Sequence, residues 1–147
     1  MIKVAIDSST LFSAIVYRGI PRQILKMAED NKIRLGIPEY CLLELKSAFY
    51  DKFGEDKGGE YYRELAEWAN DYAILIIKPR NDIINEYKGY LDDIWDVPVI
   101  ASVHAWTPDY LVVSDKKFFN ERLGQILNIV RVTDFLNLFN DATGQAR

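Results

Sequence analysis

The sequence alternates short, almost uninterrupted apolar runs with longer segments whose apolar residues recur every three or four positions. The apolar runs cover residues 3–6, 33–37, 73–77, 110–113 and 129–132. Such runs are typical of strands buried on both faces, and the spacing between them is typical of amphipathic helices. Strands that alternate with helices form parallel sheets with right-handed crossovers. We therefore predict an α/β fold, a three-layer sandwich in which helices flank a central, mainly parallel sheet of about five strands.

The chain length suits one such sheet. With 147 residues and no internal repeat or low-complexity linker, the sequence predicts a single domain over residues 1–140. Residues 141–147 have no apolar pattern and predict a frayed C-terminal tail.

The composition excludes several classes of protein. No apolar run approaches the ~20 residues that span a bilayer, and residues 1–6 show no signal-peptide pattern. We therefore expect a cytoplasmic protein with no membrane partner. Cys41 is the single cysteine and His104 the single histidine, which excludes an intramolecular disulfide and a multi-histidine metal site within one chain. A bound metal would be a hard cation held by carboxylates.

The net charge is −4, which argues against loose, charge-driven binding to nucleic acid. A nucleic-acid substrate is still compatible with this charge if the acids cluster around metal. Two divalent ions would bring the total charge to zero.

Four carboxylates occupy positions from which they can meet at one edge of the predicted sheet. Asp7 and Asp115 directly follow predicted strands, Asp96 opens a predicted helix, and Glu44 lies in the second turn of a helix that begins near Pro38. The carboxyl ends of parallel strands and the starts of the helices that follow them share one edge. Crowded carboxylates raise each other's pKa values unless a cation lies between them. An all-oxygen cluster selects Mg²⁺ or Mn²⁺, and such a site activates water for phosphodiester cleavage.

Each acid also has a simpler structural interpretation. Asp96 is suited to be the N-cap of its helix, with Pro98 in the first turn. Asp7 and Asp115 could cap the turns that follow them, and Glu44 could be a solvated surface residue. Spacing alone leaves both interpretations open for all four.

Four motifs, in order, resemble the PIN-domain family, a nuclease fold that includes the toxins of many prokaryotic toxin–antitoxin pairs. The matching segments are VAIDSSTL at 4–11, EL at 44–45, DVPVIAS at 96–102 and LVVSDKKF at 111–118. With the ending TDFL at 133–136, they span nearly the whole chain.

The resemblance implies an endoribonuclease that hydrolyses single-stranded RNA by metal-activated water. It implies that four acids hold Mg²⁺ or Mn²⁺: Asp7, Glu44, Asp96 and Asp115. Supporting positions beside them are Ser9 and Ser114. The expected partners are an RNA substrate, a cognate antitoxin protein and a second copy of the chain in a homodimer.

One position departs from the family's pattern. Many relatives have a further acid shortly after the aspartate of the fourth motif, where this chain has Lys117. This leaves the second metal site open and favours an alternative, a catalytically degenerate PIN-fold binding module. The same fold also allows a nuclease that acts on flapped or structured DNA. Lys116 and Lys117 are candidates for phosphate contacts, with an exposed, solvated pair as the alternative.

Two further features of the sequence predict structure only. Residues 53–59 contain three glycines among charged residues, which predicts a flexible loop between two helices. We interpret Trp68, Trp95 and Trp106 as core or interface residues rather than as a platform for stacking bases.

Overall fold

A parallel five-stranded sheet forms the centre of the part of the chain that the structure describes. The computed structural model describes the backbone of residues 1–143 and the side chains of residues 1–140. The strands form one sheet in the order β3-β2-β1-β4-β5, and every pairing is parallel. They are β1 (Lys3–Ile6), β2 (Arg34–Pro38), β3 (Ala73–Ile76), β4 (Tyr110–Val113) and β5 (Ile129–Arg131). The predicted α/β class, the parallel sheet and the five strands are confirmed.

Helices follow the strands along the described part of the chain. They are α1 (Ser8–Val16), α2 (Gly19–Glu29), α3 (Glu39–Tyr72), α4 (Asn81–Asn85), α5 (Val97–Trp106), α6 (Glu121–Gly124) and α7 (Val132–Thr143). Two single turns of 3₁₀-helix, Ile94–Asp96 and Lys116–Phe118, complete the set. Within these residues no helix is both long and apolar enough to cross a membrane. Residues 144–147 of the predicted tail lie outside the described residues.

The core lies on both sides of the central strand. Val4, Ala5 and Ile6 in β1 are fully buried. Because consecutive residues of a strand point to opposite faces, this burial means that both faces of β1 are covered. The strand β3 differs because it lies at the edge of the sheet, where Ile74 and Leu75 are exposed. The sequence predicts a buried strand here, and that part of the prediction is wrong.

Helix α3 is two helices joined at Gly54, which has φ 82° and ψ 179°. Glycine adopts this left-handed φ without the steric cost that a side chain brings. The predicted loop over 53–59 is wrong, because helical geometry resumes immediately after Gly54. The two halves of α3 then pack closely, with the Phe49 and Tyr61 ring centroids 5.8 Å apart. A Cβ added at Gly58 would lie 2.5 Å from the Phe49 carbonyl oxygen, so Gly58 serves close packing rather than a loop.

The three tryptophans differ in their surroundings. Trp68 is buried and its indole N–H donates to Glu29 at 2.8 Å, as expected for a core residue. Trp106 is partly buried beneath the Lys3 ammonium, which lies 4.4 Å from its ring centroid. Trp95 is 68% exposed, so it does not belong to the core.

Candidate functional site

Asp7 lies at the junction between β1 and α1 and is almost fully buried. Its Oδ1 accepts a hydrogen bond from the Thr10 backbone N–H at 3.0 Å, which makes Asp7 the N-cap of α1. Its Oδ2 accepts from the Ser114 backbone N–H at 3.4 Å. The residue is 2% exposed. The capping interpretation of Asp7 is therefore confirmed, and the same carboxylate is also tied to the end of β4.

Burial raises the pKa of the Asp7 carboxyl above its ordinary value. Hydrogen bonds from Thr10 and from the backbone N–H groups of Ser114 and Asp115 lower this pKa only in part. Within the described residues, Asp7 forms no ion pair. A buried acid with raised pKa and no basic partner is a group that a bound cation would stabilise.

Glu44 projects from α3 toward the same edge. Its Oε1 lies 3.5 Å from the Ser8 hydroxyl, which donates to it. Burial raises the pKa of Glu44, and the negative charges of Asp96 and Asp7 raise it further, while Lys117 lowers it. Glu44 is half-buried and faces other charges, so its interpretation as a solvated surface residue is wrong.

Asp96 ends the 3₁₀ turn that leads into α5, with Pro98 in the first turn of that helix. Its side chain makes no capping hydrogen bond, so the capping interpretation of Asp96 is wrong. The residue is 5% exposed, and its Oδ2 lies 2.7 Å from Lys117 Nζ. Burial raises the pKa of Asp96, and the nearby Lys117 offsets part of this rise.

Asp115 follows β4 and caps the second 3₁₀ turn. Its Oδ1 accepts from the Lys117 backbone N–H at 3.1 Å, and its Oδ2 lies 3.5 Å from Lys117 Nζ. The side chain is 38% exposed. The capping interpretation is confirmed for Asp115, as it is for Asp7.

Of the two supporting residues that the sequence predicts, Ser114 contacts Asp7 and Ser9 does not. Ser114 binds Asp7 through its backbone N–H, and its hydroxyl lies 2.7 Å from the Thr10 hydroxyl. Ser9 is exposed, and within the described residues no hydrogen bond joins it to Asp7. Sequence reasoning missed Thr10, which is fully buried and links Asp7 to Ser114. Thr10 is the third residue after Asp7, and the backbone N–H at that position bonds to the side chain of an aspartate N-cap. This spacing could have identified Thr10 from the sequence.

The four acids are electrostatic neighbours at one edge of the sheet. Glu44 interacts with the charges of Asp96 and Asp7, and Asp96 interacts with that of Asp115. In this conformation, among the described residues, no group of three or more acidic, histidine or cysteine side chains is placed so that it could hold a metal ion. The donor chemistry nevertheless suits a hard divalent cation. Lys117 pairs with Asp96 and Asp115, so among these four acids Asp7 and Glu44 have no ion-pair partner within the described part of the chain.

No family model matches the sequence, and no curated protein matches it. Solved structures do match. A chain of VapBC2 from Rickettsia felis, bound to a DNA fragment from its promoter, is 16% identical with a TM-score of 0.66, covering 88% of this chain and 98% of that one. A chain of DNA-bound VapBC from Salmonella typhimurium is 13% identical with a TM-score of 0.66, covering 90% and 99%.

A domain of a functionally unknown protein from Methanocaldococcus jannaschii is also similar, with 21% identity, a TM-score of 0.51 and coverage of 89% and 91%. At these identities the likeness is one of fold. It confirms the resemblance found in the sequence: the chain has a VapC-like PIN-domain fold.

The metal-free protein is expected to lose stability as the pH rises above the ordinary carboxyl range near 4 and through the raised pKa values of the folded protein. The folded protein holds protons on Asp7 and Glu44 more tightly than the unfolded chain does, because their pKa values are raised from the ordinary range near 4. Stability from this source is present at low pH and lost as the pH rises through the folded pKa values. Melting temperatures in EDTA would show a downward slope, shallower in Asp7→Asn. Identical slopes in the two proteins would contradict this account.

Proposed function

We propose that this chain is a divalent-metal-dependent endoribonuclease that hydrolyses RNA phosphodiester bonds and is the toxin of a toxin–antitoxin pair. The observation that carries the proposal is the set of acids that share one edge of the parallel sheet: Asp7, Glu44, Asp96 and Asp115. The fold shared with the VapBC chains supports it.

The acids would supply the ligands for Mg²⁺ or Mn²⁺. Asp7 and Glu44 are the first candidates, because neither forms an ion pair with a described residue. An ion bound there would activate water and stabilise the charge that develops on the phosphodiester.

The chain itself fixes the positions of these ligands. Backbone N–H groups of Thr10 and Ser114 hold the two oxygens of Asp7, one from α1 and one from the end of β4. The Ser8 hydroxyl orients Glu44. Because rigid elements hold these groups, little ordering remains to be done when substrate binds.

A single-stranded substrate is supported by the surface beside the acids. The sequence alone favours a core or interface role for Trp95 over base stacking. Its side chain is, however, largely exposed and directly precedes Asp96, and an exposed indole can stack on unpaired bases of any sequence. Lys116 is also exposed and lies next to Asp115, where its charge would attract an RNA phosphate. We assign the substrate as RNA, with flapped or structured DNA as the alternative.

The proposed protein partners are a cognate antitoxin and a second copy of the chain, in the cytoplasm. The solved structures with this fold include VapBC complexes. Exposed apolar residues along the edge strand and its continuation, Ile74, Leu75 and Ile77, supply the kind of surface that a protein partner covers. Light scattering of the purified chain would measure the homodimer directly.

A second candidate function is a PIN-fold binding module without turnover. The ion pairs of Lys117 with Asp96 and Asp115 favour it, because an acid that is already neutralised is a weaker metal ligand.

The test is cleavage by the purified protein of a labelled single-stranded RNA and a flap DNA of matched sequence. The proposal expects RNA cleavage with Mn²⁺ that stops in EDTA and is lost in Asp7→Asn. Preference for the flap would move the assignment to a DNA nuclease. Absence of cleavage of either substrate, with RNA still bound, would favour the binding module.

A further inference from the structure

The side chain of Lys117 lies among the acids rather than pointing into solvent. Its Nζ is 2.7 Å from Asp96 Oδ2 and 3.5 Å from Asp115 Oδ2. The side chain is 39% exposed, so it reaches the acids from the surface. The preceding residue, Lys116, makes no side-chain contact of this kind within the described residues.

This ammonium matters most to Asp96. A carboxylate that is 5% exposed needs a nearby cation or several donors to remain charged. The Asp96 side chain makes no capping hydrogen bond, so Lys117 is its principal compensating charge. Asp115, which is more exposed, shares the same ammonium.

The charges of the site therefore divide into two halves. One half, Asp96 and Asp115, already has a cation that belongs to the chain. The other half, Asp7 and Glu44, forms no ion pair within the described residues, although the charge of Lys117 also lowers the pKa of Glu44.

We propose that the Lys117 ammonium is one of two cations in this site, so that the protein takes a single divalent ion, on the side of Asp7 and Glu44. The proposal rests on the proposed function in one respect only, that these acids bind a divalent ion. Lysine carries a compact single charge on a flexible stem, so chelators leave it in place while they remove the divalent ion.

The experiment is a titration of the metal-free protein with Mn²⁺. Calorimetry, and electron paramagnetic resonance of the free Mn²⁺, measure the number of ions bound per chain. Wild type should bind one ion. Lys117→Met removes the charge and keeps an unbranched side chain one atom shorter, and it should bind a second ion. Lys117→Arg keeps the charge and should again bind one. Lys116→Met, the matched control for loss of a neighbouring lysine charge, should bind one ion in the same titration, because Lys116 forms no ion pair with these acids within the described residues.

A second readout does not depend on metal stoichiometry. In EDTA, Lys117→Met should melt at a lower temperature than wild type, because the buried Asp96 loses its ion-pair partner. Addition of Mn²⁺ should remove this difference in melting temperature, because the second ion replaces the lost charge. A merely structural lysine would also lower the melting temperature, but Mn²⁺ would not recover it in that case.

The proposal is overturned if wild type binds two Mn²⁺ ions or none, or if Lys117→Met binds the same number as wild type. These results are distinct from failure of the proposed function. If Lys117→Met gains an ion and neither protein cleaves RNA, the nuclease assignment fails and the role of Lys117 stands. If wild type cleaves RNA with Mn²⁺ and Lys117→Met binds no additional ion, the nuclease assignment stands and the proposed role of Lys117 fails.

Discussion

Replacing Asp7 with asparagine should lower the rate of RNA cleavage by at least about a hundredfold while leaving the fold intact, a magnitude typical of removing one group that stabilises a transition state. Asparagine caps helices about as well as aspartate, so it keeps the acceptor for the Thr10 N–H. It removes the negative charge that would hold the divalent ion. Single-turnover cleavage and a thermal melt of the same preparation measure the two effects separately.

Two companion variants make the Asp7 result interpretable. Asp7→Ala removes the cap as well as the charge and should cost about 1 kcal/mol of stability more than Asp7→Asn. Asp109→Asn is the matched control, because Asp109 precedes β4 at the opposite edge of the sheet and accepts from the Lys3 backbone N–H. It should cleave RNA at the wild-type rate. Wild-type activity in Asp7→Asn would sink the assignment of Asp7 to the chemistry.

The second large effect should come from Gly58→Ala, which we expect to lower the free energy of unfolding by about 1–3 kcal/mol, the usual range for overpacking. The added Cβ would lie 2.5 Å from the Phe49 carbonyl oxygen and 2.9 Å from the Tyr50 Cα. These are backbone atoms of the first half of α3, so the two halves of the helix must separate. Urea unfolding at equilibrium measures the change.

Gly59→Ala is the control for this substitution. Its added Cβ would lie 3.3 Å from the Tyr50 hydroxyl oxygen, the end of a side chain that can move. Alanine is better than glycine within a helix by up to about 1 kcal/mol, so the net change should be close to zero or stabilising. If Gly58→Ala and Gly59→Ala had equal stability, the close approach of the two half-helices would be refuted.

Local patterns predicted the sheet because its strands have little freedom. A strand such as β1, covered on both faces, must be apolar where it is buried, and that requirement is visible in the three consecutive residues Val4, Ala5 and Ile6. The edge strand β3 has a similar sequence but leaves Ile74 and Leu75 exposed. Its position in the sheet depends on pairings across long stretches of chain, which no local pattern records.

The acids show that a structural role and a functional role do not exclude each other. Asp7 and Asp115 cap the turns that follow them and also face the other acids. Asp96, which looks most like a cap in the sequence, makes no capping bond. Sequence reasoning also noticed Lys117 as a departure, but its contact with Asp96 joins two 3₁₀ turns about twenty residues apart. Only the tertiary structure brings them together.

The glycines of residues 53–59 gave the least accurate prediction of local structure. Three glycines among charges predict a loop, yet only Gly54 leaves the helical conformation. Glu55 and Lys57, which lie between them, are good helix formers, and Gly58 is explained by a neighbouring backbone that leaves no space for a side chain.

The pairing of the first strand with the fourth sets when the site can form during synthesis. Asp7 is made early, but the N–H that holds its Oδ2 belongs to a residue 107 positions later, and β1 pairs with β4 over the same interval. Because a domain generally folds as a unit during synthesis, β1 cannot take its central place in the sheet until β4 has been made. The acid site is therefore completed only after residues through 117 have emerged. If the proposed function holds, activity would therefore appear only after these residues have emerged, and a protein partner could be present before the site is complete.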